Sequence, residues 1–186
     1  MPTTLDKLQL DSTLKLVFSW KNLTTLQTYL TMKKAFLLIT LLFTTLGLTS
    51  GVHAQDALKN ITEEFNFLRE NAEREGIKTT QSGLQYEVLK SGSGKTPTAS
   101  STVVTHYKGT TLSGKTFDSS LDRGKPATFR VDKVVAGWTE ALQLMKEGDR
   151  WKLFIPSKLA YGSAGSPPVI EPNQMLIFEI ELINVN

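Results

Sequence analysis

The chain contains no cysteine. Disulfides, thiolate nucleophiles and cysteine-based metal sites are therefore excluded, and so is a lipid anchor carried on a cysteine. An exported form would have to be held by its apolar core alone. Histidine is almost as scarce, with only His53 and His106 in 186 residues. His53 falls in a segment expected to be removed, which leaves no multi-histidine metal site. A lone His106 within an alternating strand reads as a core or surface residue before it reads as a base. A membrane anchor, the rival reading of the one long apolar run, is not the expected one. The apolar stretch from Ala35 to Leu48 is shorter than the ~20 residues that cross a bilayer, and threonines and a glycine interrupt it. Nor is there a real excess of positive charge. Five lysines (Lys7, Lys15, Lys21, Lys33, Lys34) against Asp6 and Asp11 before residue 55 account for the whole formal +3. The remainder is neutral and has no basic stripe, so nucleic acid is not an expected partner.

What is present begins with "MKKAFLLITLLFTTLGLTSGVHAQDA" from Met32. Two lysines, an apolar core and the small residues of Val52-His53-Ala54 form the three regions of a secretory signal, with cleavage expected between Ala54 and Gln55. Signals start at the N-terminus, so Met32 is the expected true start and residues 1–31 an upstream extension. Residues 55–77 then read as one amphipathic helix. Leu58, Ile61, Phe65, Leu68 and Ala72 recur at alternating spacings of three and four over Asp56–Glu75. Asp56 is placed to cap it and Gly76 to stop it. Such a seam needs a partner, either its own domain or a second copy of the chain.

After Gly76 the texture changes to short alternating runs: Leu84–Leu89, Thr102–Lys108, Thr128–Val131, Arg150–Ile155 and Met175–Val185 are expected strands. One short helix fits Trp138–Lys146, with Trp138, Leu142 and Met145 on one face and Gly148 closing it. Runs of strands with a single helix imply an α+β fold, an antiparallel sheet half-wrapped around that helix.

Several motifs compete for the chemistry. "GTTLSGKT" (109–116) fits the phosphate-loop pattern letter for letter. A phosphate loop, however, must open a helix whose free N–H groups hold the phosphates. Here "FDSSLDRGKP" follows, dense in turn formers, and the stretch reads as a hairpin with no nucleotide expected. "DSSLDRG" (118–124) fails as a calcium loop, because Arg123 stands at the turn glycine and Phe129 at the bidentate glutamate. "YGSAG" (161–165) places Ser163 one position too early for a hydrolase elbow.

Four separated segments agree where each of those motifs stood alone: "THYKGTTLSGKTFDSSLDRGKPATFRV", "VVAGWTEALQLMKEGDRWKLFIP", "LAYGSAG" and "IEPNQMLIFEIELINV". In order and spacing, from about Gly83 to Asn186, they resemble FKBP-type peptidyl-prolyl cis-trans isomerases. The entry "KTTQSGLQYEVLKSGSG" (78–94), with the leader and helix, resembles the exported bacterial branch that contains the macrophage infectivity potentiators.

The resemblance implies a five- to six-stranded antiparallel sheet around the Trp138 helix over residues 78–186, with a proline pocket between them. By position, it makes Trp138 the floor. Tyr107, Phe117, Phe129, Val134, Val135 and Phe178 line the walls, and Val135 also offers a backbone N–H. Tyr161 presents its hydroxyl to the ligand backbone. Asp118 sits at the rim among Tyr107, Arg123 and substrate, and Val169 and Ile170 belong to a flap. Asp118, Tyr161, Trp138 and Phe178 would carry catalysis, the others substrate binding, with no cofactor. Ala127 stands where many members carry an aromatic, Ser166 where a flap residue is often larger, and Glu171 where proline is frequent. The implied partners are proline-containing polypeptides, the macrolide inhibitors of the family, and a second copy if the 56–75 helix dimerises. The implied location is the periplasm or the exterior. The alternative is a chaperone or binding module that uses the same pocket with little turnover.

Overall fold

The structure, a computed structural model, describes residues 55–186; the expected leader (32–54) and upstream extension (1–31) lie outside them. Among the described residues helix α1 covers 55–72. It is followed by β1 (Ile77–Thr79), β2 (Gln85–Lys90), β3 (Thr102–Thr111), β4 (Thr116–Ser119) and β5 (Ala127–Arg130). Helix α2 (Ala136–Leu144), β6 (Arg150–Ile155) and β7 (Leu176–Val185) complete the chain. The sheet has the order β1-β2-β6-β7-β3-β4, with β5 also paired to β3, and every pairing is antiparallel.

The long strands β3 and β7 form the spine: β3 alternates along its length and β7 as far as Leu182. Val103, Thr105, Tyr107, Gly109 and Thr111 turn inward from β3, and Leu176, Phe178, Ile180 and Leu182 from β7. Their register sets Gly109 opposite Phe178, and on the other edge opposite Asp118 of β4. A side chain at Gly109 would bring its Cβ to 2.7 Å from the rings of both Phe117 and Phe178. The missing Cβ is what lets those rings meet edge-to-face, 5.5 Å apart.

The sheet counts seven strands, more than the sequence reading anticipated, because two short ones fall where turn formers dominate. β4 pairs as the return arm of a hairpin whose turn holds Gly114 at φ 84°. "LSGK" is thus a strand-to-strand turn, and no helix follows it. β1 forms because Gly76, at φ 85°, turns the chain out of α1 and alongside β2. α2 starts and ends two residues before its expected bounds, and Met145, fully buried, caps it rather than continuing it.

The expectations for α1 need correction. Asp56 lies inside the helix and is not its cap, and the helix ends at 72 instead of 75. The apolar seam also does not face its own domain: Leu58, Ile61 and Phe65 are 65%, 50% and 64% exposed. The face that docks lies roughly 100° round the helix. Asn71 donates to Gln85 Oε1 (2.8 Å), Gln85 donates to the Leu68 carbonyl (2.8 Å), and Phe67 packs on Phe154 at 5.6 Å. Of the two partners expected for the seam, its own domain is thus not the one it meets; side-chain amides with matched partners, not aliphatics, make the domain contact.

α2 packs on β6 through Gly137. A Cβ there would approach Ile155 Cγ2 to 2.5 Å. Gly137→Ala should therefore lower stability by about 1–3 kcal/mol through overpacking, read as a fall in the thermal midpoint. An unchanged or raised midpoint would contradict this packing.

Candidate active site

The concave face of the sheet and the start of α2 enclose a cavity of about 420 Å³. Its floor is Trp138, on the first turn of α2 and 4% exposed. Three rings meet that indole nearly edge-on: Tyr107 at 5.3 Å and 85°, Phe129 at 5.6 Å and 79°, Phe178 at 5.2 Å and 84°. Each pair is worth about 0.5–1.5 kcal/mol beyond the area it buries. The indole Nε1 is buried with no hydrogen-bond partner among the described residues, so ring packing holds the floor. Val134 and Val135 stand at the entrance to α2 and Tyr161 at the mouth.

One edge is polar. The Tyr107 hydroxyl donates to Asp118 Oδ2 at 2.6 Å. Arg123 donates to Asp118 Oδ1 at 2.5 Å and to the Tyr107 oxygen at 2.8 Å, and its guanidinium lies 5.6 Å from the Tyr107 ring centre. Partial burial pushes the Asp118 carboxyl upward and is the largest single influence on it. The hydrogen bonds from Tyr107 and Arg123 and the guanidinium charge together outweigh that, so its pKa lies below the ordinary 3.8. The Tyr107 phenol is raised, first by burial and then by its bond to Asp118. Across the neutral range the edge is thus a fixed arrangement of carboxylate, phenol and guanidinium. Among the described residues no three His, Asp or Glu side chains converge as metal ligands.

Of the residues singled out from the sequence, Tyr107, Asp118, Phe129, Val134, Val135, Trp138, Tyr161 and Phe178 line the cavity. Four do not. Phe117 stands behind Phe178, Arg123 reaches the edge through Asp118 and Tyr107, Val169 is 47% exposed, and Ile170 is buried in the core cluster. Lys133, which sequence reasoning missed, also lines the cavity. It sits in the short 3-10 turn Val131–Lys133 that leads into α2, and an exposed lysine carries no pattern that would mark it.

Residues 93–183 match the profile described as FKBP-type peptidyl-prolyl cis-trans isomerase, and residues 25–88 match the domain amino terminal to it. The FKBP-type peptidyl-prolyl cis-trans isomerase FkpA of Aeromonas hydrophila is 47% identical over 138 residues, 74% of this chain and 51% of that protein. The peptidyl-prolyl cis-trans isomerase Mip of Coxiella burnetii is 46% identical over 126 residues, 68% of this chain and 55% of that one. The chain thus spans about half the length of these relatives. Among solved structures, FkpA from Escherichia coli superposes with a TM-score of 0.71 at 44% identity, over 74% of this chain and 64% of that chain. A peptidyl-prolyl cis-trans isomerase from Pseudomonas syringae gives 0.66 at 38% identity, over 70% of this chain and 96% of that chain.

Because its folded pKa is depressed, Asp118 contributes stability above its unfolded pKa and loses it as pH falls through the folded value. A carboxyl-carbon NMR titration should find Asp118 charged throughout pH 5–8, with its midpoint below 3.8, and Tyr107→Phe should move that midpoint upward. A midpoint above 3.8 in the wild type would contradict the arrangement.

Proposed function

This chain belongs to the FKBP-type peptidyl-prolyl cis-trans isomerases, and we propose that it accelerates rotation about X–Pro bonds in exported polypeptides. The observation that carries the reading is the aromatic enclosure over Trp138, apolar on its floor and walls and polar along one edge.

Rotation of an X–Pro amide meets a barrier of ~20 kcal/mol and breaks no covalent bond. The site therefore needs no nucleophile, only an environment that favours the twisted amide. A twisted amide loses resonance and much of its dipole, so a dry aromatic cavity disfavours it less than it does the planar form. In this reading the prolyl ring rests on Trp138 between Tyr107, Phe129 and Phe178, and the preceding carbonyl swings. Tyr161, 41% exposed at the mouth, donates its hydroxyl to the ligand backbone. The N–H groups that open α2 near Val135 have no partner within the helix and offer a second point of attachment. Asp118, held ionised, keeps Tyr107 and Arg123 in place and shuttles no proton. Each ~1.4 kcal/mol by which these contacts lower the barrier is worth a factor of ten in rate. Macrolide inhibitors of the family would occupy the same cavity.

The partners and location follow the same reading. The segment 32–54 acts as an export signal, and residues 55–186 work outside the cytoplasm. Among the described residues no helix is long and apolar enough to cross a membrane. The exposed stripe Leu58–Ile61–Phe65 supports a homodimer, since both charge signs flank it (Lys59 and Arg69, Glu63 and Glu70) and a second copy complements them.

In an isomerisation assay on short X–Pro peptides, the wild type should turn over well above the spontaneous rate. Trp138→Ala should lower kcat/KM by about 100-fold and Asp118→Ala by about tenfold, which correspond to roughly 3 and 1.4 kcal/mol of lost transition-state binding. A wild type no faster than the uncatalysed reaction would leave only the chaperone reading. Protein recovered from the exported fraction should begin at Gln55 by mass spectrometry. By light scattering it should show twice its chain mass, falling to once in Phe65→Ser. Retention of residues 1–31, or a monomeric wild type, would refute the corresponding assignment.

A further inference from the structure

We propose that α1 is a positioning element of the cavity, in which Asn60 and Glu64 hold from outside the loop that carries Tyr161 to its mouth and the neighbouring loop hydrogen-bonded to it. The activity arm of this proposal rests on the isomerase reading; its structural arm does not.

Residues four apart share one face of a helix, and Asn60 and Glu64 aim at neighbouring loops. The Asn60 amide, 9% exposed, donates to the Pro172 carbonyl at 3.0 Å and to Glu171 Oε2 at 3.2 Å. Glu64 Oε2 accepts the Ser157 N–H at 2.8 Å. Ser157 opens the turn that leads to Tyr161, and its carbonyl accepts the N–H groups of Ala160 (2.9 Å) and Gly162 (2.8 Å), closing the chain around Tyr161. The Gly162 carbonyl in turn accepts the Asn173 N–H at 2.9 Å, which ties this loop to the one that carries Glu171 and Pro172. Both loops thus form one hydrogen-bonded unit with two tethers to the same helix. Ile170 anchors the unit in the core, but Tyr161 and Val169 are 41% and 47% exposed, so apolar burial does little to fix Tyr161 itself. The far end of α1 is anchored separately on β2 through Asn71 and Gln85. A proline in place of Glu171 would offer no side-chain acceptor to Asn60.

Hydrogen exchange tests the tether without reference to activity. In the Asn60→Ala/Glu64→Ala double variant, the amides of Gly162, Ile170 and Asn173 should exchange about tenfold faster, with β3 and β7 amides unchanged. Unchanged loop exchange would overturn the proposal. In the peptide assay, Asn60→Ala and Glu64→Ala should each raise KM about three- to tenfold with kcat held, the loss of one bond's worth of binding. Glu64→Gln, which keeps an acceptor oxygen, should restore the wild-type KM. Asn71→Ala should lower the thermal midpoint without raising KM, and an equal rise in that variant would reduce α1 to a general stabiliser and sink the proposal. Should the wild type fail to isomerise the peptide, the isomerase reading falls and the exchange result alone decides the tether.

Discussion

The indole of Trp138 is packed edge-on by Tyr107, Phe129 and Phe178 while one of its sides still borders a cavity. Holding a large ring 4% exposed beside an open volume is possible only if its other neighbours are fixed. The sheet fixes them. Tyr107 and Phe178 come from the two spine strands, whose register is set over nine paired positions, and Phe129 from the strand paired to β3. Two glycines make the approach possible: Gly137 lets α2 come down on Ile155, and Gly109 leaves room for Phe117 behind Phe178. Together the three ring contacts contribute on the order of 2–4 kcal/mol, a large part of a typical domain's net stability.

The polar edge shares Tyr107 with that packing. Tyr107 gives its ring to the floor and its hydroxyl to Asp118, so the residue that packs Trp138 also places the carboxylate. Arg123 closes the triangle from the loop after β4. The result is a charge that does not titrate near neutrality, set at the edge of an aromatic-lined cavity. Such a site suits a reaction that redistributes the dipole of an amide without moving protons.

Much of this was legible in the sequence, for identifiable reasons. Alternation in β3 and β7, and the Trp138-Leu142-Met145 face, follow from burial, which hydrophobic patterning encodes directly. The cavity residues carried no such mark. Tyr107, Phe129 and Val134 look like ordinary core in isolation, and only the joint spacing of four segments singled them out. Short strands β1 and β4 were not legible because main-chain pairing and glycine turns create them, not side-chain pattern. Lys133 reaches the cavity through the turn before α2. The docked face of α1 was not legible for a related reason. Asn60, Glu64 and Asn71 bury polar groups against specific partners, and patterning counts polar residues as solvated.

Catalysis of this kind requires a proline ring to occupy the Trp138 floor while its peptide bond turns. Two-dimensional exchange NMR on an isotope-labelled X–Pro peptide, with a sub-stoichiometric amount of protein, observes both at once. The account predicts cis–trans exchange peaks that grow with protein concentration, and intermolecular Overhauser contacts between the prolyl ring protons and the Trp138 indole. Exchange at the spontaneous rate, or accelerated exchange with the prolyl contacts elsewhere on the molecule, would contradict it.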